Sequence, residues 1–277
     1  MKGDARMERD LLVFSGQSNM QGQSGGLLDD DVVEGAVEYR MLTDRLIPLR
    51  DPVGEDILKD GTAGYPFREA ETPNWHLDQG LARAVDGCTT LIPAFCRAYL
   101  RETGGAVAAV PASKGATCVE EWLPGTVGYS LLMKKFRMAL ERVEETDTAG
   151  HRYLVWLQGE SDAIAETPRR VYMERMRSLS AALRRDAGIE LFGIIRVGRF
   201  TYDDRDLEIM AAQDELCRSG EGFLMLTDLA AGMSMDPAWI NPRAQGHFNP
   251  EALVRLGTEA GRTLGRLRMR ENGTREK

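Results

Sequence analysis

Short apolar runs of strand character alternate with longer stretches of helical periodicity along this chain, and few folds accommodate that alternation. Residues 11–15, 106–111, 153–157, 191–197 and 223–227 are apolar almost throughout, as strands covered on both faces must be. Between them Leu132, Phe136, Leu140 and Val143 recur at helical spacing. So do Tyr172, Met176, Leu179 and Leu183, and then Leu253, Leu256, Ala260, Leu264 and Leu267. Each set marks an amphipathic helix lying on a sheet. The pattern predicts an α/β fold, a three-layer sandwich whose central, mostly parallel five-stranded sheet is flanked by helices.

Val37, Tyr39 and Met41 alternate with Glu38 and Arg40, and a second short run over 46–49 follows the turn-like Thr43-Asp44. A surface hairpin is expected there. Residues 51–73 are rich in Gly, Pro and charge and read as a long connection, a kind of segment that often carries function. No repeat, low-complexity segment or linker divides the sequence. Residues 1–277 are therefore expected to form one domain, with 1–9 and 269–277 as frayed ends.

Charge and cysteine usage narrow the function classes. Lys and Arg number 35 against 43 Asp and Glu, a formal net charge of −8 without a basic patch, which argues against nucleic acid as a partner. No stretch approaches the roughly 18–20 uninterrupted apolar residues of a membrane span. The first apolar run is too short for the h-region of a secretory signal, so the expected location is the cytoplasm. Cys88, Cys96, Cys118 and Cys217 lie far apart, with no Cys-x-x-Cys pair and no Cys/His cluster, and read as free buried thiols. Neither a metal nor another cofactor is expected.

The segment from Val13 to Gly22 places Ser18 just beyond a predicted strand, where ligands sit in open α/β sheets. Gly16 and Gly22 allow close backbone approach by a substrate. Alone, Ser18 or Ser15 is better explained as a helix cap. Three more segments share the placement at strand ends or a helix entry: Ser113-Lys114-Gly115-Ala116-Thr117, Trp156-Leu157-Gln158-Gly159-Glu160-Ser161-Asp162, and Gly246-His247-Phe248-Asn249-Pro250. A serine hydroxyl attacks an ester only with an imidazole base in reach, and the oxyanion that forms needs preorganised donors. Gly115 offers a backbone N–H, Gln158 a side-chain amide and Ser18 its own N–H.

Together, Gly16-Gln17-Ser18-Asn19-Met20, Gly115 in Ser-Lys-Gly-Ala-Thr, the Gln158-Gly159-Glu160 block and the late His247 resemble the SGNH-hydrolase superfamily, and within it the sialate O-acetylesterase-like group, carbohydrate esterase family 6. The resemblance spans residues 11 to about 265 and implies an SGNH/flavodoxin-like sheet. It further implies that Ser18 is the nucleophile and His247 the general base, with Ser18, Gly115 and Gln158 forming the oxyanion hole. Many relatives carry the triad aspartate three residues before the histidine, where this chain has Ala244. Glu160 is the first candidate for that role, Asp236 and Asp228 are the alternatives, and a dyad held by a backbone carbonyl is the remaining option.

Other residues are weighed on the same grounds. Gln17, Asn19, Trp122 and Trp239 are candidate substrate contacts, the tryptophans because aromatic planes match the C–H faces of sugars. Trp156 reads as core, His76 and His151 as surface or loop residues, and His247 alone would pass for a helix cap. Glu160 and Asp162, two residues apart at one strand end, do not make a glycosidase pair. The expected function is a serine esterase that removes O-acetyl groups from acetylated carbohydrates through an acyl-enzyme. Its partner is a small acetylated sugar or oligosaccharide, with the homo-oligomeric state left open. The competing readings are an impaired carbohydrate-binding protein on the same fold and an esterase for lipid or aryl esters.

Overall fold

The run over residues 11–14 lies at the centre of a sheet, and none of its four side chains exceeds 1% exposure. The computed structural model describes residues 6–28, 30–41, 43–54, 89–244 and 246–275. The strands are β1 (Glu8–Gly16), β2 (Ala36–Arg40), β3 (Arg45–Pro48), β4 (Ala106–Ser113), β5 (Thr148–Leu157), β6 (Leu191–Ile195) and β7 (Phe223–Thr227). They form one sheet in the order β3-β2-β4-β1-β5-β6-β7. The five predicted runs are β1, β4, β5, β6 and β7, and each pairs in parallel with its neighbours.

The hairpin is present, but it is more than a surface interruption. β2 pairs in parallel with β4 through Ala36–Val107, Val37–Ala108 and Glu38–Ala109, while β3 returns antiparallel along β2. The sheet thus has seven strands among the described residues rather than five. The pairing is non-local, so nothing in the period-2 pattern of residues 37–41 announces it.

The helices are α1 (Ser18–Gln21), α2 (Ile92–Thr103), α3 (Val127–Thr146), α4 (Glu160–Ile164), α5 (Arg169–Ala187), α6 (Asp204–Arg218), α7 (Ala230–Met233) and α8 (Pro250–Arg275). α3 packs on β1, β4 and β5 and meets α5, which meets α6; α2 and α8 pack together, touching β4 and β6–β7 respectively. These two groups cover opposite faces and make the three layers. The three predicted helices are α3, α5 and α8. α2 escapes the periodicity because residues 91–96 form a nearly unbroken apolar stretch, and α6 because polar Asp206 and Gln213 occupy its buried face.

Among the described residues, regular structure includes segments expected to fray. β1 begins at Glu8, Thr148 N–H donates to Met7 O at 2.8 Å, and α8 continues to Arg275. Arg268 anchors that end, reaching Glu8 Oε1 at 3.3 Å and Asp10 Oδ2 at 3.6 Å. Beyond Gly54 the 51–73 connection lies outside the described residues, as do His76 and Cys88.

Candidate active site

β1, β4 and β5 are laced together at their carboxyl ends, the natural crevice of a sheet whose connections diverge from β1. Gln17 N–H donates to Leu157 O and Lys114 N–H to Gly16 O, both at 3.0 Å. Gly16 has φ +136°, and a Cβ there would lie 2.0 Å from Leu157 O. Only glycine lets β1 and β5 close up at this point.

Ser18 opens α1 directly beyond this junction, 5% exposed. No side chain caps α1, so the reading of Ser18 or Ser15 as a cap does not hold. Gly115 runs alongside: a Cβ placed on it would lie 3.5 Å from Ser18 Cβ and 2.8 Å from Gln21 Oε1. The Gly115 turn is fastened from behind. Gln158 Nε2 donates to Thr117 O at 2.9 Å, and Asp162 Oδ2 accepts from Val119 N–H at 2.8 Å.

Gln158 departs from its expected role. Its Nε2 also donates to Asp162 Oδ2 at 2.6 Å, and Tyr172 Oη lies 3.3 Å from its Oε1. With both amide hydrogens spent on Thr117 and Asp162, the side chain braces the Gly115 turn and has no N–H left for an oxyanion. Burial pushes the Asp162 carboxyl above its usual range, while the hydrogen bonds from Gln158 and Val119 pull against that.

Gln17 and Asn19 also turn inward. Gln17 Oε1 accepts from Gly159 N–H at 3.3 Å and Ser161 N–H at 3.2 Å. Asn19 Nδ2 donates to Glu160 Oε1 at 2.8 Å and to Gly246 O at 3.4 Å, and Asn19 Oδ1 accepts from Phe248 N–H at 3.1 Å. Asn19 therefore bonds to both chain neighbours of His247. These two side chains are part of the framework, not exposed substrate contacts.

His247, half-buried, sits on a loop pinned at several points. Its N–H donates to Ala244 O and its carbonyl accepts from Asn241 N–H, while Asn241 Nδ2 donates to Gln23 O behind the Ser18 turn. Asn249, not His247, caps α8, through Ala252 N–H at 3.0 Å. Phe200 meets the imidazole edge-on, with centroids 5.8 Å apart, and closes against Gly246. Asp206 holds the Phe200 loop by accepting from Thr201 and Tyr202 N–H. Phe200 carries no motif in the sequence; only the fold brings it to the histidine, on a loop that Asp206 holds.

None of the three acid candidates holds the imidazole. Glu160, 3% exposed, spends Oε1 on Asn19, and Oε2 has no hydrogen-bond partner among the described residues. Burial pushes its carboxyl above the usual range, and nearby Asp206 adds to the push against the Asn19 hydrogen bond. Asp236 is exposed and caps the turn at Ala238, and Asp228 is exposed beside Arg196 at 3.7 Å. Trp122 is fully buried, edge-on to Trp156, with its indole N–H on Thr117 Oγ1 at 3.0 Å, so it cannot line an open site. The short turn at Val119–Trp122 folds it into the core. Trp239 stays half-buried near the histidine loop, with Arg255 5.3 Å over its ring.

The remaining candidates lie elsewhere. His151 is on β5, not a loop, with Nδ1 2.6 Å from Glu190 Oε2. Cys96 is buried, whereas Cys118 and Cys217 are half-buried, and burial pushes both of the latter thiols up to about 12. Among the described residues, no three His, Cys, Asp or Glu side chains converge to hold a metal ion, and no helix is long and apolar enough to cross a membrane.

The buried carboxyls also set a pH dependence. Burial raises Glu38, Asp51, Glu160 and Asp162 above their usual ranges, Asp51 to about 7. Each binds its proton more tightly folded than unfolded, so the stability it contributes at low pH is lost as pH rises through its folded pKa. Asp186 and Asp203 are shifted down and titrate below this window. The urea midpoint is expected to fall between about pH 5 and pH 8, with a smaller fall in Asp51→Asn; a midpoint that rises would contradict this.

A parallel sheet whose central strand hands the chain to a serine turn, with a glycine turn beside it and a histidine loop tied to its flank, is the architecture of SGNH-type ester hydrolases. Across residues 8–264 the sequence matches the family described as carbohydrate esterase, sialic acid-specific acetylesterase. The chain belongs to that family. It is 27% identical over 190 residues to a "probable carbohydrate esterase" of Arabidopsis thaliana, covering 68% of this chain and 67% of that protein. In structure it resembles an A. thaliana protein with a TM-score of 0.64 at 17% identity, over 93% of this chain and 98% of that one. A lipase/acylhydrolase from Enterococcus faecalis gives a TM-score of 0.49 at 14% identity, over 93% and 95% of the two chains.

Proposed function

We propose that the protein is a serine esterase that removes O-acetyl groups from small acetylated sugars or oligosaccharides through an acetyl-enzyme. The observation that carries this reading is the Asn19 side chain. It sits one residue from Ser18 and hydrogen-bonds to both chain neighbours of His247, which ties the His247 backbone to the Ser18 turn.

In the first step His247 takes the Ser18 proton as Oγ bonds to the acetyl carbon. The carbonyl π electrons move onto oxygen, and the N–H groups of Ser18 and Gly115 are the donors assigned to it. Collapse expels the sugar oxygen, which receives the proton from His247. Water, deprotonated by His247, then attacks the acetyl-enzyme and releases acetate, and the proton returns to Ser18. Trp239, half-buried beside the histidine loop, is the aromatic assigned to the sugar in this reading. The hole has two backbone donors in this reading, with Gln158 bracing the second.

Acetate release from acetylated xylo-oligosaccharides, O-acetylated sialic acids and simple acetylated sugars tests the proposal, with p-nitrophenyl esters of lengthening acyl chains alongside. Turnover of at least one acetylated sugar above that of long-chain esters is expected. Turnover of long-chain or aryl esters alone would assign a different ester, and no turnover of any ester would favour a binding protein.

A further inference from the structure

The carboxylate most naturally read as the triad acid touches a different side chain. Glu160 starts α4 just past the end of β5, and its one hydrogen-bonded side-chain oxygen goes to Asn19 at 2.8 Å, not to the imidazole. Asn19 uses all of its amide: Nδ2 gives one hydrogen to Glu160 and one to Gly246 O, and Oδ1 takes Phe248 N–H. A flipped amide would set oxygen against the carboxyl and against Gly246 O, and would turn an N–H toward the Phe248 N–H. Glu160 therefore dictates which way Asn19 faces, and Asn19 dictates where the backbone on each side of His247 lies.

We infer that Asn19 is a positioning residue that registers the His247 loop against the Ser18 turn, with Glu160 acting through Asn19 as its orienting partner. The inference rests on the esterase reading above. It assigns the Asn of the Gln-Ser-Asn turn and the Glu of the Gln-Gly-Glu block to a single device. One buried amide is bonded to Glu160 and to Phe248, which lie 141 and 229 residues further along the chain. Such a device matters because a shift of about 1 Å between nucleophile and base costs on the order of 100-fold in rate.

The bond itself supports the assignment. Glu160 Oε1 is the acceptor for Asn19 Nδ2 at 2.8 Å, in a site where burial pushes the carboxyl above its usual range against that hydrogen bond. Glutamine keeps a side-chain oxygen that can accept from Asn19.

The test is steady-state kinetics on p-nitrophenyl acetate for Asn19→Ala, Glu160→Ala, Glu160→Gln and the double alanine variant, with Ser18→Ala as control. Asn19→Ala should lower kcat by about 100-fold with KM within about threefold, because the loss is in alignment and not in binding. Glu160→Ala should fall to a similar level, Glu160→Gln should recover to within about tenfold of wild type, and the double variant should be no worse than Asn19→Ala alone. Glu160→Gln as impaired as Glu160→Ala would show that the carboxylate charge itself acts on the imidazole, and additive losses would show two independent roles; either overturns the inference. Should Asn19→Ala not fold, the contrast between Glu160→Gln and Glu160→Ala decides alone. Full activity in Ser18→Ala would instead sink the esterase reading, leaving the two failures distinct.

Discussion

Replacing Ser18 with alanine is expected to lower kcat/KM on acetyl esters by about 10⁴- to 10⁶-fold, the loss seen when a serine hydrolase is deprived of its nucleophile. The fold should survive the change. Ser18 makes no cap bond for α1, and its Cβ, which sits beside Gly115, is kept in alanine. Equal urea midpoints for Ser18→Ala and wild type, with the activity gone, would separate chemistry from stability. A variant that turned over ester at the wild-type rate would remove Ser18 from the mechanism and leave the strand-end turn without its proposed role.

His247→Ala is expected to rank second, with a loss of about 10⁴-fold or more carried by kcat. The loop should stay in place because its anchors are backbone groups and the side chains of Asn19 and Asn241. The edge contact with Phe200 is given up. By contrast, Asp228→Asn and Asp236→Asn should stay within about threefold of wild type, since both carboxylates are exposed and engaged elsewhere. A loss in either comparable to that of His247→Ala would show that a carboxylate closes on the imidazole in the working enzyme.

Strand identity is legible in the sequence because burial on both faces leaves a mark that no other element leaves. The runs over 11–15, 106–111, 153–157 and 223–227 lie within β1, β4, β5 and β7, and the run over 191–197 covers β6 with two residues beyond it. The union of β2 with β4 is not legible, because strand partners far apart in sequence leave no periodic trace. The position of Ser18, Gly115 and His247 at strand ends and a helix entry is also readable, since turn chemistry and strand ends are local.

Side-chain direction is another matter. An amide at position 158 suggests an oxyanion donor, yet Asp162, one helical turn on, captures a hydrogen that role requires. The i, i+4 spacing of the two is present in the sequence and is a cue to such a bond. Trp122 sits among polar and turn residues, but its neighbours fold it against Trp156 at a centroid distance of 5.8 Å. Glu160 stops one side chain short of the histidine loop, a distinction that no motif encodes.

The most direct test of the account is intact-mass analysis of the wild-type protein after exposure to a fluorophosphonate, followed by peptide mapping. The account predicts a single adduct on the peptide that contains Ser18, absent in Ser18→Ala and slowed strongly in His247→Ala. An adduct on any other residue, or none at any pH at which the protein is folded, would contradict it.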